Sequence, residues 1–224
     1  MIEEINTFIV NEFATNCYIY KDPFSENAII IDPGGDAEKL INFIENNHLK
    51  LNYIFLTHAH YDHIGALEEI YNHFKVEVVI HQEEYSILED SHFNLSVFLG
   101  KPEIKGLKNM KFLKVKDLDI ISCGSQEIFI LHTPGHTKGG ICLYIKDKYI
   151  FTGDTLFCGS VGRTDFPTGD IDELESSLKR IFSLPHHIRF FPGHNNSCIL
   201  KEEIRHNPFL LGEFYEDKNS NKHI

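Results

Sequence analysis

The sequence has no pair of cysteines at the Cys-x-x-Cys spacing, and its five cysteines are odd in number and widely separated. This pattern predicts neither a framework of disulfide bonds nor a zinc site built from thiolates. Cys17, Cys123 and Cys142 lie in or beside apolar segments, and we expect them to be small core residues. No motif marks a cysteine as a nucleophile.

The sequence also lacks a basic N-terminal leader and any apolar run of membrane-spanning length. Residues 1–4 are Met-Ile-Glu-Glu, without the positive charge or the apolar stretch of a secretion signal. No apolar run approaches the roughly 20 residues that a transmembrane helix needs. We therefore expect a soluble, cytoplasmic protein without a membrane partner.

An excess of positive charge is missing as well. The formal net charge is −12, and acidic residues are spread along the chain. This distribution argues against binding to a nucleic acid or to an anionic membrane surface. An anionic small-molecule substrate stays open, because a bound divalent cation reverses the sign of the charge locally.

Internal repeats and low-complexity segments are absent from the 224 residues. With 42% hydrophobic residues, the chain is long and apolar enough for a sizeable core. We expect residues 1–215 to form a single domain and the polar residues 216–224 to form a frayed tail.

Short apolar segments separated by turn residues predict many short strands with helices between them. Strands are expected at residues 7–10, 17–20, 28–31, 53–56, 76–80, 112–115, 118–121, 127–131, 140–145, 149–151 and 188–191. Helices are expected at residues 36–47, 62–73, 82–88, 170–182 and 201–211. Residues 89–111 form a loop-rich stretch. Because helices interrupt runs of hairpin strands, we expect an α+β fold of two mixed sheets with outer helices.

The chain contains 14 histidines, and three of them fall within the segment THAHYDH at residues 57–63. This segment directly follows a predicted strand, and on an extended backbone the side chains of His58 and His60 point the same way. Asp62 and His63 belong to the turn that opens the next helix. Imidazole nitrogens and carboxylate oxygens are the ligands of zinc and other divalent metals. The segment therefore predicts a metal site.

Three further predicted strands end close to a histidine or an aspartate that lies beside glycine. These residues are His136, Asp154 and His194. Glycine at such positions lets the backbone approach a ligand closely. One loop of this kind means little alone, but four loops that each offer a metal-binding residue predict a shared site.

The order and spacing of these residues resemble the metal motifs of the metallo-β-lactamase superfamily. The resemblance implies a four-layer αββα sandwich with the metal site at one edge, between the sheets. It implies two divalent metals with these ligands: His58, His60 and His136 for one, Asp62, His63 and His194 for the other, and Asp154 as a bridge. Asp32 matches an early aspartate of the family and is expected to support the ligand loop. A plain turn-forming role for this Asp-Pro pair stays open.

Within the superfamily, the segments at residues 157–166 and 207–209 resemble the small glyoxalase II-like hydrolases. This resemblance implies cleavage of a thioester, or a related ester, of a small thiol such as S-lactoylglutathione. The nucleophile would be a hydroxide that bridges two metals, zinc in the first place and otherwise iron or manganese. Asp62 and Asp154 are the candidate catalytic carboxylates, with Asp62 also a candidate proton acceptor.

Substrate contacts are predicted less directly. Arg163 and Lys138 are the candidate substrate-binding residues, although an ion pair between Arg163 and Asp165 that braces the loop is equally consistent with the sequence. The segment around Arg163 keeps a cation but lacks the tyrosine of glutathione-specific relatives, so the physiological thiol stays open. Asp154 stands where β-lactamases typically carry cysteine, which disfavours antibiotic hydrolysis.

Two other functions stay open. The Gly-Arg-Thr-Asp-Phe segment at residues 162–166 also resembles the persulfide dioxygenases of the same superfamily, which hold a single iron through two histidines and an aspartate. A non-catalytic, metal-stabilised binding module would need a closed metal sphere, whereas the predicted ligand sets leave room for water. The sequence predicts neither the oligomeric state nor whether residues 89–111 close over the site.

Overall fold

Strands and short helices make up most of residues 3–101 and 103–211, which the computed structural model describes; the predicted tail at 216–224 lies outside them. The strands are β1 (Ile5–Val10), β2 (Thr15–Lys21), β3 (Asn27–Ile31), β4 (Lys50–Phe55), β5 (Glu77–His81), β6 (Phe112–Val115), β7 (Ile120–Cys123), β8 (Gln126–His132), β9 (Ile141–Ile145), β10 (Tyr149–Gly153), β11 (Leu156–Phe157), β12 (Ser160–Val161), β13 (Arg189–Pro192) and β14 (Cys198–Ile199). The helices are α1 (Ala37–Asn46), α2 (Tyr61–Ile64), α3 (Leu67–Phe74), α4 (Tyr85–Leu88), α5 (Ile171–Phe182), α6 (Leu200–His206) and α7 (Pro208–Leu211).

The strands form two six-stranded sheets and one small hairpin. Sheet A has the order β1-β2-β3-β4-β5-β6, in which β1 to β3 are antiparallel and β3 to β6 are parallel. Sheet B has the order β14-β13-β10-β9-β8-β7, in which β10 and β13 are parallel and the other neighbours are antiparallel. The pair β11 and β12 forms a separate hairpin. Both large sheets are therefore mixed, as predicted.

The two sheets pack face to face, with helices on both outer faces. Ile31 and Phe55 of sheet A share one apolar cluster with Leu143 and Phe151 of sheet B. Successive strand residues point to opposite faces, so Ile30 packs instead in a second cluster with helices α1 and α3. A third cluster joins the outer face of sheet B to helices α5 and α6. This layering is the predicted αββα sandwich.

Two of the predicted helices are each divided in two, since residues 201–211 form α6 and α7 and residues 62–73 form α2 and α3. Residues 62–73 are expected to form a single helix, but α2 ends at Ile64 and α3 begins at Leu67. The backbone N–H of Ala66 donates to the carbonyl of Pro33 at 2.9 Å instead of continuing the helix. The break follows from a contact with a distant loop, which helical periodicity does not reveal. None of the described helices is both long and apolar enough to cross a bilayer.

The loop-rich stretch predicted at residues 89–111 is confirmed. Within its described part, a single 3-10 turn at Leu107–Asn109 is the regular structure. The stretch is tied to the site region because the carbonyl of Asn94 accepts a hydrogen bond of 2.8 Å from the N–H of Tyr61. Lys101 also forms an ion pair with Glu12 in the β1–β2 loop.

The structure contains one disulfide bond, although the sequence predicts no framework of such bonds. Cys158 and Cys198 are bonded, across a separation of 40 residues. Cys198 begins β14, which runs antiparallel to β13 and so returns to the turn between β11 and β12 that carries Cys158. The pairing depends on this return of the chain, so cysteine spacing gives no sign of it. Cys17, Cys123 and Cys142 are free and buried, as expected.

Candidate metal centre

The candidate ligands predicted from the sequence come together where loops from both sheets meet. The loop after β4 carries His58 and His60, and helix α2 carries Asp62 and His63. The loops after β8, β10 and β13 carry His136, Asp154 and His194, respectively. Because β4 belongs to sheet A and the other three strands belong to sheet B, the cluster lies across the seam between the sheets.

His58, His60 and His136 form a first trio whose potential ligand atoms all lie within 4.8 Å of one another. All three side chains are buried. Nδ1 of His60 lies 3.0 Å from Nε2 of His136, so rings from opposite sheets are in direct contact. Nδ1 of His136 in turn lies 2.8 Å from the carbonyl oxygen of Arg163, which fixes the orientation of that ring.

Asp62, His63 and His194 form a second trio, also with potential ligand atoms within 4.8 Å. Oδ2 of Asp62 lies 3.4 Å from Nε2 of His63 and 3.2 Å from Nε2 of His194. The hydroxyl of Thr15 donates to the same carboxylate oxygen at 2.9 Å. A residue of β2 therefore helps to hold Asp62 in place, a role that no sequence motif indicates.

The carboxylate of Asp154 lies between the two trios. One of its oxygens is 3.4 Å from Nε2 of His63, and the other is 3.6 Å from Nε2 of both His136 and His194. A Cβ at position 193 would overlap Oδ1 of Asp154, so only glycine lets the backbone pass this close. Asp154 is thus within reach of both trios, as a bridging ligand would be.

Several buried polar atoms in this cluster lack a hydrogen-bonding partner. Among the described side chains, Nε2 of His58, His60 and His63 and Oδ1 of Asp154 are buried and unpaired. Buried polar atoms are nearly always hydrogen-bonded, so four unpaired buried atoms in one cluster need an explanation. Nitrogen and carboxylate oxygen are the donor set of zinc and iron sites. The residues present fit bound divalent metal.

Burial and the surrounding imidazoles hold the pKa of His58 and of His60 well below the usual value. Both rings are therefore neutral near pH 7, which is the form that binds a metal. For His63, burial alone lowers the pKa, but the carboxylates of Asp62, Asp154 and Asp32 outweigh it and raise the pKa. The carboxylates around the second trio therefore favour positive charge at His63, as they would favour a bound cation.

Asp32 lies behind the ligand loop, where the sequence predicts a supporting carboxylate. Its Oδ1 accepts a hydrogen bond of 2.7 Å from the N–H of Thr57, and its Oδ2 accepts one of 2.6 Å from the Thr57 hydroxyl. Oδ2 also lies 3.0 Å from Nδ1 of His63. This contact turns Nε2 of His63 towards Asp62 and Asp154.

A cavity of about 530 Å³ opens onto both trios. Its apolar lining consists of Phe13, Leu95, Leu99, Phe157, Val161 and Phe166. Two of these residues belong to the loop-rich stretch and two to the β11–β12 hairpin. Arg163 also lines the cavity, whereas Lys138 is not among the described lining residues.

Sequence reasoning misses one buried acid beside the first trio. The carboxylate of Glu84, which precedes α4, accepts hydrogen bonds from the ligand loops on both sides. Glu83 next to it is exposed. The two adjacent glutamates look alike in the sequence, so only the packing separates them.

Comparison with known proteins gives this geometry a family context. The profile of the metallo-β-lactamase superfamily matches residues 10–194. The hydroxyacylglutathione hydrolase GloC of Haemophilus influenzae is 38% identical over 203 residues, which cover 90% of this chain and 95% of that protein. The crystal structure of the BLEG-1 B3 metallo-β-lactamase matches with a TM-score of 0.86 and 35% identity, over 93% of this chain and 100% of that chain. The crystal structure of TTHA1623 in a di-iron-bound form matches with a TM-score of 0.81 and 31% identity, over 92% of this chain and 100% of that chain.

The profile match covers most of the chain and includes every residue of the two trios and Asp154. The relative and the two solved structures each align over at least 90% of this chain. The order of elements and the two helix-covered mixed sheets agree with this assignment. The chain belongs to the metallo-β-lactamase superfamily.

Proposed function

We propose that this protein is a metal-dependent hydrolase that cleaves a thioester of a small thiol. The observation that carries the proposal is the convergence of the two trios on Asp154, with four buried ligand atoms left unpaired. The 38% identity to a hydroxyacylglutathione hydrolase supports a thioester as the substrate class. We propose His58, His60 and His136 as ligands of one metal, Asp62, His63 and His194 as ligands of a second, and Asp154 as their bridge.

When bound, two divalent metals supply Lewis acidity and acidify a water molecule for attack on a carbonyl carbon. The side chains supply the arrangement around that chemistry. The neutral imidazoles of His58 and His60 add no charge, whereas Asp62 and Asp154 add two negative charges that suit a pair of cations. Asp62, held by the Thr15 hydroxyl, is the proposed proton acceptor. A thioester suits this site because a thiolate leaves without a strong acid.

The cavity supports a substrate with an apolar portion. Its lining is mainly aromatic and aliphatic, and Arg163 is the cation among the described lining residues. Arg163 is therefore proposed to face an anionic group of the substrate. Lys138 does not line the cavity, so the geometry gives no support for its predicted substrate contact.

A second candidate is the persulfide dioxygenase function. It is favoured by the segment at residues 162–166, which resembles those enzymes and brings Arg163 and Phe166 to the cavity beside His136. This reaction would need one iron held by two histidines and an aspartate, with the whole second trio, Asp62, His63 and His194, free of metal. Metal content therefore separates the two proposals.

The first experiment is elemental analysis of the purified protein together with hydrolysis of S-lactoylglutathione. We expect about two divalent metals per chain and thioester turnover. One iron per chain, oxygen uptake with glutathione persulfide and no hydrolysis would replace the hydrolase with the dioxygenase. A chain that retains no metal would contradict both proposals. The similarity to BLEG-1 is a reason to assay a β-lactam in parallel.

Substitution of one ligand sharpens this test. We expect His60→Ala to lose about one metal per chain and to lower kcat/KM by at least about 100-fold, since charge stabilisation worth several kcal/mol is removed. His81→Ala is the control, because His81 is equally buried but its ring stacks on His132, which is not a candidate ligand. Equal metal content in the two variants would argue against His60 as a ligand.

A further inference from the structure

Glu84 places a carboxylate in the interior of the protein, between two loops that carry candidate ligands. Its side chain is fully buried, with 0% exposure. Oε1 accepts a hydrogen bond of 2.8 Å from the N–H of Ala59. Oε2 accepts bonds of 2.9 Å from the Thr137 hydroxyl and from the N–H of Gly139. The carboxylate is thus bonded on both of its oxygens.

These three donors belong to opposite sheets. Ala59 lies between His58 and His60 in the loop after β4 of sheet A, whereas Thr137 and Gly139 follow His136 in the loop after β8 of sheet B. A Cβ at position 139 would overlap the backbone nitrogen of Glu84, so the second loop lies directly against this residue. One carboxylate therefore links the two backbones that set the spacing of the first trio.

The arrangement is costly for the fold, which argues that it has a use. All three groups that bond the carboxylate are neutral, and a buried carboxylate without a charged partner is unfavourable. Burial raises the pKa of Glu84 to about 7, although the three hydrogen bonds and the charge of Lys138 oppose that change. An apolar residue would fill the space at lower cost, but it would leave the N–H groups of Ala59 and Gly139 without this acceptor.

We propose that Glu84 is a positioning residue that fixes the loops of His60 and His136 relative to each other and so preforms the first metal site. The two rings touch, with Nδ1 of His60 3.0 Å from Nε2 of His136, and a displacement of either loop would change that spacing. Residues that orient ligands from behind typically change metal affinity by 10–100-fold when they are replaced. The inference rests on the proposed metal site but not on the proposed thioester reaction.

The test is the zinc affinity of the full chain, measured on chelator-treated protein by competition with a chromophoric chelator. Glu84→Gln keeps the shape of the side chain but turns one acceptor oxygen into an NH₂ group, which faces an N–H donor of one loop. We expect one of the two zinc equivalents to bind about 10–100-fold more weakly, and the other to change less. Thioester turnover plays no part in this readout.

Glu203→Gln is the matched control. Glu203 is also buried, with 4% exposure, and its carboxylate accepts bonds from Gly159 and Asn207, away from the two ligand loops. We expect this variant to bind both zinc equivalents as the native protein does. Unchanged zinc affinity in Glu84→Gln, with a melting temperature lowered as much as in Glu203→Gln, would show a purely structural role and overturn the proposal.

A milder variant guards against failure to fold. Thr137→Val removes a single donor to Oε2 of Glu84 and keeps the side-chain volume close to that of threonine. We expect a smaller loss of zinc affinity at the same equivalent, between that of the native protein and that of Glu84→Gln. A loss confined to the other equivalent, or no loss at all, would contradict the proposal. Two zinc ions without thioester turnover would count against the proposed reaction alone.

Discussion

The Arg163 side chain lies between a carboxylate and an aromatic ring on the lining of the cavity. Its Nε and Nη2 donate to the two oxygens of Asp165, both at 2.6 Å. The guanidinium carbon is 3.8 Å from the centroid of the Phe166 ring. Both charged side chains are more than half exposed, so the pair contributes little to stability and leaves the cation accessible to substrate.

We expect Arg163→Ala to raise KM for S-lactoylglutathione about tenfold and to change kcat less, because a charge-assisted bond to an anionic substrate is lost. The carbonyl that fixes His136 belongs to the backbone of residue 163 and is kept in this variant. Steady-state kinetics with an anionic and a neutral thioester provide the measurement. Equal losses for both substrates would rule out recognition of a negative group by Arg163.

At the scale of single residues, the sequence predicts those residues whose side-chain type itself indicates metal binding. Histidines and aspartates at strand ends mark the cluster without any structure, and Asp32 is found through the family pattern. Glu84 and Thr15 are missed because their importance comes from hydrogen bonds to residues 25 to 55 positions away. A single sequence contains no signal for such contacts.

The β11–β12 hairpin is the element that links the cavity to strand β14 and helix α6. Phe157, Ser160 and Val161 line the cavity, and Cys158 between them is bonded to Cys198 at the start of β14. The N–H of Gly159 also donates to Glu203 of α6 at 2.8 Å. A disulfide bond and a hydrogen bond thus hold this wall of the cavity.

We expect Cys158→Ser to lower the free energy of unfolding by up to about 4 kcal/mol, because a cross-link over 40 residues restricts the unfolded chain. Urea denaturation with and without a thiol reductant is the measurement. The reductant should destabilise the native protein but leave Cys158→Ser unchanged. Cys198→Ser should match Cys158→Ser, and the double variant should lose nothing more; additive losses would contradict a shared bond.

Elements are well predicted where local pattern determines them. Helix α5 begins after Asp170, whose side chain accepts bonds from the N–H groups of Asp172 and Glu173, and the acidic start indicates this boundary. The short strands β11, β12 and β14 are not expected from the sequence, since two residues carry no periodicity. The break between α2 and α3 is likewise not expected from the sequence, because it depends on the hydrogen bond from Ala66 to the distant carbonyl of Pro33.

The two sheets are also joined at a place apart from the metal centre. Asp22 follows β2 of sheet A, is buried, and accepts bonds of 2.6 and 3.1 Å from the hydroxyl and N–H of Ser125 in the β7–β8 turn of sheet B. Ser25 donates to the same carboxylate at 2.5 Å. Burial alone raises the pKa of Asp22, but these hydrogen bonds outweigh it and lower the pKa to about 2.

A pKa below that of the unfolded chain means that ionised Asp22 stabilises the fold. The contribution is complete above about pH 4 and is lost as the pH falls towards about 2. We expect Asp22→Asn to cost about 2 kcal/mol at pH 7 and progressively less below pH 4. Urea denaturation of both proteins from pH 7 to pH 2.5 measures this difference, with Glu127→Gln, an exposed carboxylate on β8, as the control. A constant difference across this range would contradict the role given to ionised Asp22.

The overall fold is predicted by the resemblance of the metal motifs to a family more than by the local pattern of apolar and turn residues. Interrupted runs of strands indicate two mixed sheets, but the strand order, with β13 parallel to β10, has no local signature. The first-trio contact between His60 and His136 joins residues 76 positions apart. Such placement follows from the packing of complete sheets, and motif order alone does not provide it.

The order of the ligands along the chain has a consequence for biosynthesis. The first trio is complete in the sequence at His136, whereas the second trio waits for His194, after β13. Because synthesis proceeds from the N-terminus, the ribosome delivers the three histidines of the first trio 58 residues before the second trio is complete. A nascent chain therefore carries all three histidines of the first trio before β13 and β14 of sheet B have been synthesised.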